Sequence, residues 1–81
     1  MVQLEIMAPL GDEFFGGVSQ FAFSASSVFG LVSQLDRLSP GFSEEAPVRC
    51  AFAIDGVLAS DWSAPLADGA QVLLLPRVGG G

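Results

Sequence analysis

A stretch of helical periodicity between segments of strand periodicity constrains the fold of this chain more than any other feature. Its apolar residues are Val28, Leu31, Val32, Leu35 and Leu38. These spacings place all five side chains on one side of a helix, and that side must be buried against another element. Ser24, Ser26 and Ser27 offer N-cap oxygens, and Pro40 with Gly41 ends the helix because proline has no N–H to continue it. The sequence therefore predicts an amphipathic helix from Ser27 to about Leu38.

Apolar and polar residues alternate on both sides of that helix, which is the pattern of half-buried strands. The segments are residues 2–7, 19–24 and 48–55, with a short return strand at 57–58 and a last strand at 71–76. The last strand is apolar on both faces, which predicts a central place in the sheet or an outer face covered by another protein. This order predicts an α+β domain with one main helix packed on a mixed sheet.

The same patterns define an expected core and two irregular stretches. The inner sheet face is expected to carry Leu4, Ile6, Phe21, Phe23, Val48, Cys50, Phe52 and Ile54. We expect residues 12–17 to form a loop with at least one phenylalanine in the core, and residues 44–47 to form a loose acidic segment. Trp62 is expected to pack on the core, and Cys50 to be a small buried residue.

The missing residue types exclude several functions. The chain of 81 residues has no histidine and one cysteine, Cys50, so a zinc site, a Ser-His or Cys-His catalytic pair and an internal disulfide are not expected. Its basic residues are Arg37, Arg49 and Arg77 against nine acids, so nucleic acid and anionic membrane surfaces are not expected as direct partners. A domain of this size also has little room for an enclosed active site.

Membrane insertion, secretion and metal binding are not predicted either. No apolar run approaches the roughly 20 residues of a membrane span, and the first residues lack the basic leader of a secretory signal. With one unpaired cysteine, the pattern predicts a cytoplasmic protein. Asp55 and Asp68 each precede a glycine, and turn chemistry explains both better than a metal site does.

The end of the chain differs from the rest in composition. After the last predicted strand it reads Arg77-Val78-Gly79-Gly80-Gly81. We therefore expect a domain over residues 1–76 and a flexible tail over residues 77–81. Glycine has no Cβ, so the tail can enter a narrow channel, and when extended it reaches roughly 17 Å.

The tail predicts a reactive group and a binding segment. The reactive group is the Gly81 carboxylate, and Arg77, Val78, Gly79 and Gly80 form the segment that a partner would bind. A carboxylate is a poor electrophile, so it needs activation, usually as an acyl-adenylate. Attack by sulfur then yields a thiocarboxylate.

Several motifs of the second half of the chain occur together. They are Ile54-Asp55-Gly56, the turn Pro65-Leu66-Ala67-Asp68-Gly69, the strand Val72-Leu73-Leu74-Leu75-Pro76 and the closing Gly80-Gly81. This combination resembles the ubiquitin-like sulfur carriers of the MoaD/ThiS type, which include the small subunit of molybdopterin synthase and the thiamin sulfur carrier. The resemblance implies a β-grasp (ubiquitin-like) fold over the whole chain.

The resemblance also implies partners and a reaction. A ubiquitin-activating-type enzyme would adenylate Gly81 with its own ATP, while this chain binds no cofactor. The thiocarboxylate would then donate sulfur inside a partner enzyme, with the large subunit of molybdopterin synthase as the first candidate. A sulfide carrier for cysteine or thiamin biosynthesis is the alternative, because an L-P-x-V-x-G-G ending also occurs in the cysteine branch.

A different class of function is a β-grasp interaction module or protein modifier that carries no sulfur. The chain has no lysine to accept a second copy of itself, which argues against chain-forming modification. Under either hypothesis, Ala22, Ala51 and Ala53 beside the apolar last strand predict a docking surface on the outer sheet face.

Overall fold

Five strands and three helices follow one another in residues 1–77, the part of the chain that the computed structural model describes. They are β1 (Val2–Ile6), α1 (Leu10–Phe14), β2 (Gln20–Phe23), α2 (Val28–Leu38), α3 (Phe42–Arg49), β3 (Cys50–Ile54), β4 (Val57–Leu58) and β5 (Gln71–Pro76). The longest of these helices, α2, has 11 residues, and none within residues 1–77 has the length and apolar character needed to cross a membrane.

The strands form one sheet in the order β2-β1-β5-β3-β4. The strand β5 pairs in parallel with β1 and antiparallel with β3. The edge strands are β2, which is antiparallel to β1, and β4, which is antiparallel to β3. Of the two alternatives predicted for the last strand, the central position in the sheet is therefore confirmed. With α2 as its main helix, this mixed sheet has the predicted β-grasp arrangement.

The helix α2 begins after Ser27, whose Oγ accepts a 3.2 Å hydrogen bond from the Gly30 N–H. The predicted stripe is confirmed at four buried positions, Val28, Leu31, Val32 and Leu35. It is wrong at Leu38, which is 55% exposed. At about 100° per residue, Leu38 lies roughly 80° around the helix axis from Val28, at the edge of the stripe.

The inner sheet face matches most of the expected core. Leu4, Ile6, Cys50 and Phe52 are buried, and Phe21, Phe23 and Ile54 are partly buried against them. Val48 is a wrong prediction, since it lies on α3 and is 71% exposed. Trp62 packs against Phe52 as expected, with ring centroids 5.1 Å apart.

The connection after β1 is partly helical, which corrects the loop predicted for residues 12–17. The short helix α1 begins at Leu10, which is buried, and Phe15 is its C-cap residue. Phe15 is buried and Phe14 packs against the core. The prediction that at least one phenylalanine of this segment lies in the core is therefore confirmed. Burial of Leu10 and Phe15 outweighs the turn-forming composition of this segment.

The helix α3 occupies the stretch predicted to be loose and acidic. Phe42 and Ala46, one turn apart, are fully buried and hold the helix on the core. Pro47 lies inside the helix, where it removes one backbone hydrogen bond. The prediction was wrong because the contacts of Phe42 offset the effect of that proline.

The turn between β3 and β4 has the chemistry that its sequence predicted. Asp55 and Gly56 have φ angles of 49° and 86°, the left-handed pair of a two-residue hairpin turn. One carboxylate oxygen of Asp55 also accepts a 3.0 Å hydrogen bond from the Gln71 N–H. The backbone and the carboxylate of Asp55 therefore both stabilise the turn, as its sequence predicted.

Candidate functional site

The predicted functional segment begins where β5 ends. β5 ends at Pro76, and Arg77 follows as the last described residue, exposed to solvent. The remaining predicted site residues lie outside the described residues, namely Val78, Gly79, Gly80 and Gly81. The surroundings of Pro76 and Arg77 therefore form the part of the candidate site that can be built from the structure.

Strand directions bring two further segments to the edge of the sheet where β5 ends. Because β1 is parallel to β5, α1 follows β1 at the edge where β5 ends. Because β3 is antiparallel to β5, the junction of α3 and β3 lies there too, with Cys50 opposite Pro76. The Arg77 N–H donates a 2.8 Å hydrogen bond to the carbonyl oxygen of Arg49. The backbone at Arg77 is thus attached to the end of α3.

The side chain of Arg49 extends this attachment to α1. Its guanidinium donates two hydrogen bonds to the Glu13 carboxylate, and the bond from Nη2 to Oε1 is 2.7 Å long. The guanidinium carbon lies 5.2 Å from the centre of the Phe14 ring. Hydrogen bonding to Arg49 lowers the pKa of Glu13, and the same carboxylate raises the pKa of Arg49. We call Glu13, Phe14 and Arg49 the Arg49 cluster.

The thiol nearest to this edge belongs to Cys50, and it is inert. Its side chain is fully buried, and this burial raises the pKa of the thiol to about 11. The reactive form of cysteine is the thiolate, so a thiol with this pKa is protonated at neutral pH. Cys50 therefore acts as a small core residue, as predicted, and supplies no nucleophile to the chain end.

The outer face of the sheet is apolar next to the end of β5. Leu75 lies opposite Ala51, and Leu73 lies opposite Ala53, and all four residues are half-buried. Ala22, on the edge strand β2, is exposed. Small apolar residues therefore do line this face, while its use as a docking surface stays a prediction.

Farther from the end of β5, the same face becomes polar. Gln3 lies opposite Gln71, and Glu5 lies opposite Gln20. These side chains help to line a shallow concavity of about 370 Å³. Sequence reasoning did not find this concavity, because its residues come from four strands, β1, β2, β3 and β5, and from the turn at Gly56. Which of these strands are neighbours is set only by the topology.

The Arg49 cluster was also missed from sequence. Glu13 and Arg49 are 36 positions apart, and no local motif links them. The one available signal was that Arg49 directly precedes a predicted buried residue, Cys50, which is opposite the last strand. Arg77 was predicted as a binding residue, and the structure places it in backbone contact with the cluster.

Metal binding has no support in the described region. Within residues 1–77, no group of three or more histidine, cysteine, aspartate or glutamate side chains is placed to hold a metal ion. Asp68 accepts a hydrogen bond from the amino group of Met1, which lowers the pKa of the Asp68 carboxyl. Like Asp55, it is explained by contacts within the domain.

The sequence profile of the ThiS family matches residues 13–81. Because this region covers most of the chain, the protein belongs to the ThiS family of ubiquitin-like sulfur carriers. The predicted family is therefore confirmed, as is the general role of sulfur carrier. A search of curated proteins returned no match.

Solved structures agree with this assignment. The chain is 29% identical to a chain in the complex of subunits 1 and 2 of molybdopterin-converting factor from Helicobacter pylori 26695, covering 99% of this chain and 97% of the other with a TM-score of 0.69. It is 21% identical to CysO from Mycobacterium tuberculosis, with a TM-score of 0.76 over 96% of this chain and 100% of the other. A chain of the Amycolatopsis orientalis BexX/CysO complex is 17% identical, with a TM-score of 0.78 and full coverage of both. The two CysO comparisons show the shared fold.

Proposed function

We propose that this protein carries sulfur as a thiocarboxylate on Gly81 and delivers it to molybdopterin biosynthesis. Membership of the ThiS family supports the role of carrier. The observation that carries the proposal is the position of Arg77. This residue directly follows the end of the central strand β5 and is exposed to solvent. A partner enzyme can receive the residues after Arg77 without opening the sheet.

The proposed chemistry consists of two steps, adenylation of the Gly81 carboxylate and replacement of AMP by sulfur at the carboxyl carbon. A carboxylate oxygen of Gly81 attacks the α-phosphate of ATP, which forms the acyl-adenylate and releases pyrophosphate. Hydrosulfide then attacks the acyl carbon, and AMP leaves with the electron pair of the broken C–O bond. An enzyme persulfide can replace hydrosulfide when a thiol reduces the resulting acyl disulfide.

This chain supplies the carboxylate, and the activating enzyme supplies the rest. Its single thiol, Cys50, is buried and protonated, so it does not compete for the acyl-adenylate. We place the ATP site in a ubiquitin-activating-type enzyme, and we place both proteins in the cytoplasm.

The pathway is proposed from the Helicobacter pylori comparison. That chain belongs to a molybdopterin-converting factor and has 29% identity over nearly the full length of both chains, against 21% and 17% for the CysO chains. A sulfur-accepting enzyme of the molybdopterin synthase large-subunit type is therefore the first candidate partner. Cysteine or thiamin biosynthesis is the alternative destination.

Mass spectrometry of the intact protein tests the carrier role. The protein is incubated with its activating enzyme, ATP and a sulfide donor, and the expected result is a mass gain equal to exchange of one oxygen for sulfur. Deletion of Gly81, or addition of one residue after it, should abolish the gain while the melting temperature is unchanged. An unchanged mass with an active enzyme contradicts the proposal and favours an interaction module.

The pathway is tested with the sulfur-loaded protein. It is mixed separately with a molybdopterin synthase large subunit plus the molybdopterin precursor, and with a cysteine-synthase-type enzyme plus an activated serine. We expect rapid loss of the thiocarboxylate in the first mixture. Loss only in the second would transfer the assignment to cysteine biosynthesis.

A further inference from the structure

The Arg49 cluster joins the end of β5 to a distant part of the chain. Through its carbonyl oxygen, Arg49 accepts the hydrogen bond from the Arg77 N–H, 2.8 Å long. Through its guanidinium, the same residue binds the carboxylate of Glu13 on α1. One residue thus holds the backbone at Arg77 and is itself bonded to Glu13 through its side chain.

The contacts of the guanidinium restrict it in two directions. The paired hydrogen bonds to Glu13 hold it in the plane of that carboxylate, because the arginine fork matches a carboxylate at two points. The guanidinium carbon also lies over the Phe14 ring, 5.2 Å from the ring centre, in a cation–π contact. A lysine at this position would keep the charge but lose both the fork and the flat face.

We propose that Glu13 and Arg49 are positioning residues that set the direction in which the chain leaves the sheet after Pro76. This inference rests on the proposed function, since it concerns how the carboxyl end is presented to the activating enzyme. With the cluster intact, the backbone at Arg77 is held before binding. Without it, the enzyme has to order that backbone itself, which weakens binding and leaves the chemical step unchanged.

The location of the pair separates this role from general stabilisation. Each side chain is 41% exposed, and ion pairs that exposed contribute little to the free energy of unfolding. Loss of the pair should therefore affect the edge of the sheet while the core stays folded. The structure also offers a control, because Glu44 lies exposed on α3 and forms no ion pair within residues 1–77.

The experiment compares the wild-type chain with Glu13→Gln, Arg49→Lys and the charge-matched control Glu44→Gln. Adenylation is followed as pyrophosphate release by the activating enzyme, with the carrier as the varied substrate. For the two cluster variants we expect KM to rise on the order of tenfold with kcat unchanged, the equivalent of ordering about one backbone residue. The control and all melting temperatures should match the wild type.

A second measurement does not depend on the enzyme. Hydrogen exchange of the Arg77 amide, detected by NMR, should become faster in the two cluster variants and stay unchanged in Glu44→Gln. Unchanged exchange, or an equal rise of KM in the control, would overturn the inference. A wild-type chain that gains no sulfur would instead overturn the proposed function, and the exchange rates would still decide whether the cluster holds Arg77.

Discussion

The helices α2 and α3 are neighbours in sequence and in space, yet they are held by different kinds of interaction. The buried stripe of α2 contains four apolar residues, and its N-cap, Ser27, lies directly before it. By contrast, α3 buries only Phe42 and Ala46 and contains Pro47. Its first N–H groups are capped by Asp36 of α2, which accepts hydrogen bonds from Gly41 at 3.1 Å and Ser43 at 2.9 Å.

This difference bears on function because α3, the helix with fewer buried residues and an internal proline, leads to the candidate site. α3 ends at Arg49, whose carbonyl oxygen holds Arg77 and whose side chain binds Glu13. The helix α2 stabilises the core. The helix α3 ends at the residue that holds Arg77, so the position of α3 affects the backbone that follows β5. Charged substitutions on the buried stripe of α2 should therefore unfold the domain, whereas substitutions at Arg49, the end of α3, should disturb the site while the core stays folded.

The largest effect is expected at the centre of the α2 stripe. Leu35→Asp places an unpaired charge at a fully buried position and should cost more than about 4 kcal/mol, enough to unfold a domain of this size. Circular dichroism and urea denaturation measure the loss. Leu38→Asp is the matched control at a position 55% exposed, and we expect a change below about 1 kcal/mol. Equal losses would show that the buried face of α2 is assigned wrongly.

The next effect is expected from the single large anchor of α3. Phe42 is fully buried and packs edge-on against Phe14 and Phe15, with ring centroids 5.3 Å apart in both pairs. Phe42→Ala should lower the free energy of unfolding by about 3–5 kcal/mol. Val48→Ala, on the exposed side of α3, should change it by less than about 0.5 kcal/mol. If Phe42→Ala were as mild as Val48→Ala, α3 would be held by something other than this ring.

The same contrast explains what could be predicted from the sequence. The helix α2, the five strands and the central place of β5 follow from periodicity and nearby turn or cap residues, which are local signals. The helix α3 could not be predicted, because its cap comes from Asp36 and its anchor from rings on another segment. Local propensity, with Pro47 present, pointed to irregular structure.

The candidate site divides in the same way. Arg77 and the glycines after it were found from sequence because they are consecutive. The Arg49 cluster joins residues 36 positions apart, so its partners depend on the parallel pairing of β1 with β5 and on the position of α3. The fold was therefore largely predictable, whereas the surroundings of the chain end required the structure.

A smaller effect is expected from the local cap of α2. Ser27→Ala removes the oxygen that accepts the Gly30 N–H and should cost about 1 kcal/mol. The control is Ser26→Ala, because Ser26 is exposed and contributes its backbone carbonyl to a hydrogen bond with Leu66. Urea midpoints compare the two variants. A loss in Ser26→Ala as large as in Ser27→Ala would mean that the Ser27 hydroxyl is not the effective cap.

The smallest effect is expected from the distant cap of α3, and pH reveals it. Hydrogen bonds from Ser43 and, more weakly, from Gly41 lower the pKa of Asp36 below its ordinary value of 3.8. A carboxyl with a lowered pKa in the folded state stabilises the fold fully above its ordinary pKa, and the contribution disappears as pH falls through the lowered value.

Asp36→Asn keeps an acceptor oxygen but removes the charge, so the stability difference from the wild type should be constant near neutral pH and shrink below about pH 4. Other carboxyls with lowered pKa values, Glu13, Asp61 and Asp68, are present in both proteins and cancel in this difference. Urea denaturation of both proteins across this range provides the measurement, and parallel pH profiles would contradict capping of α3 by the charged form of Asp36.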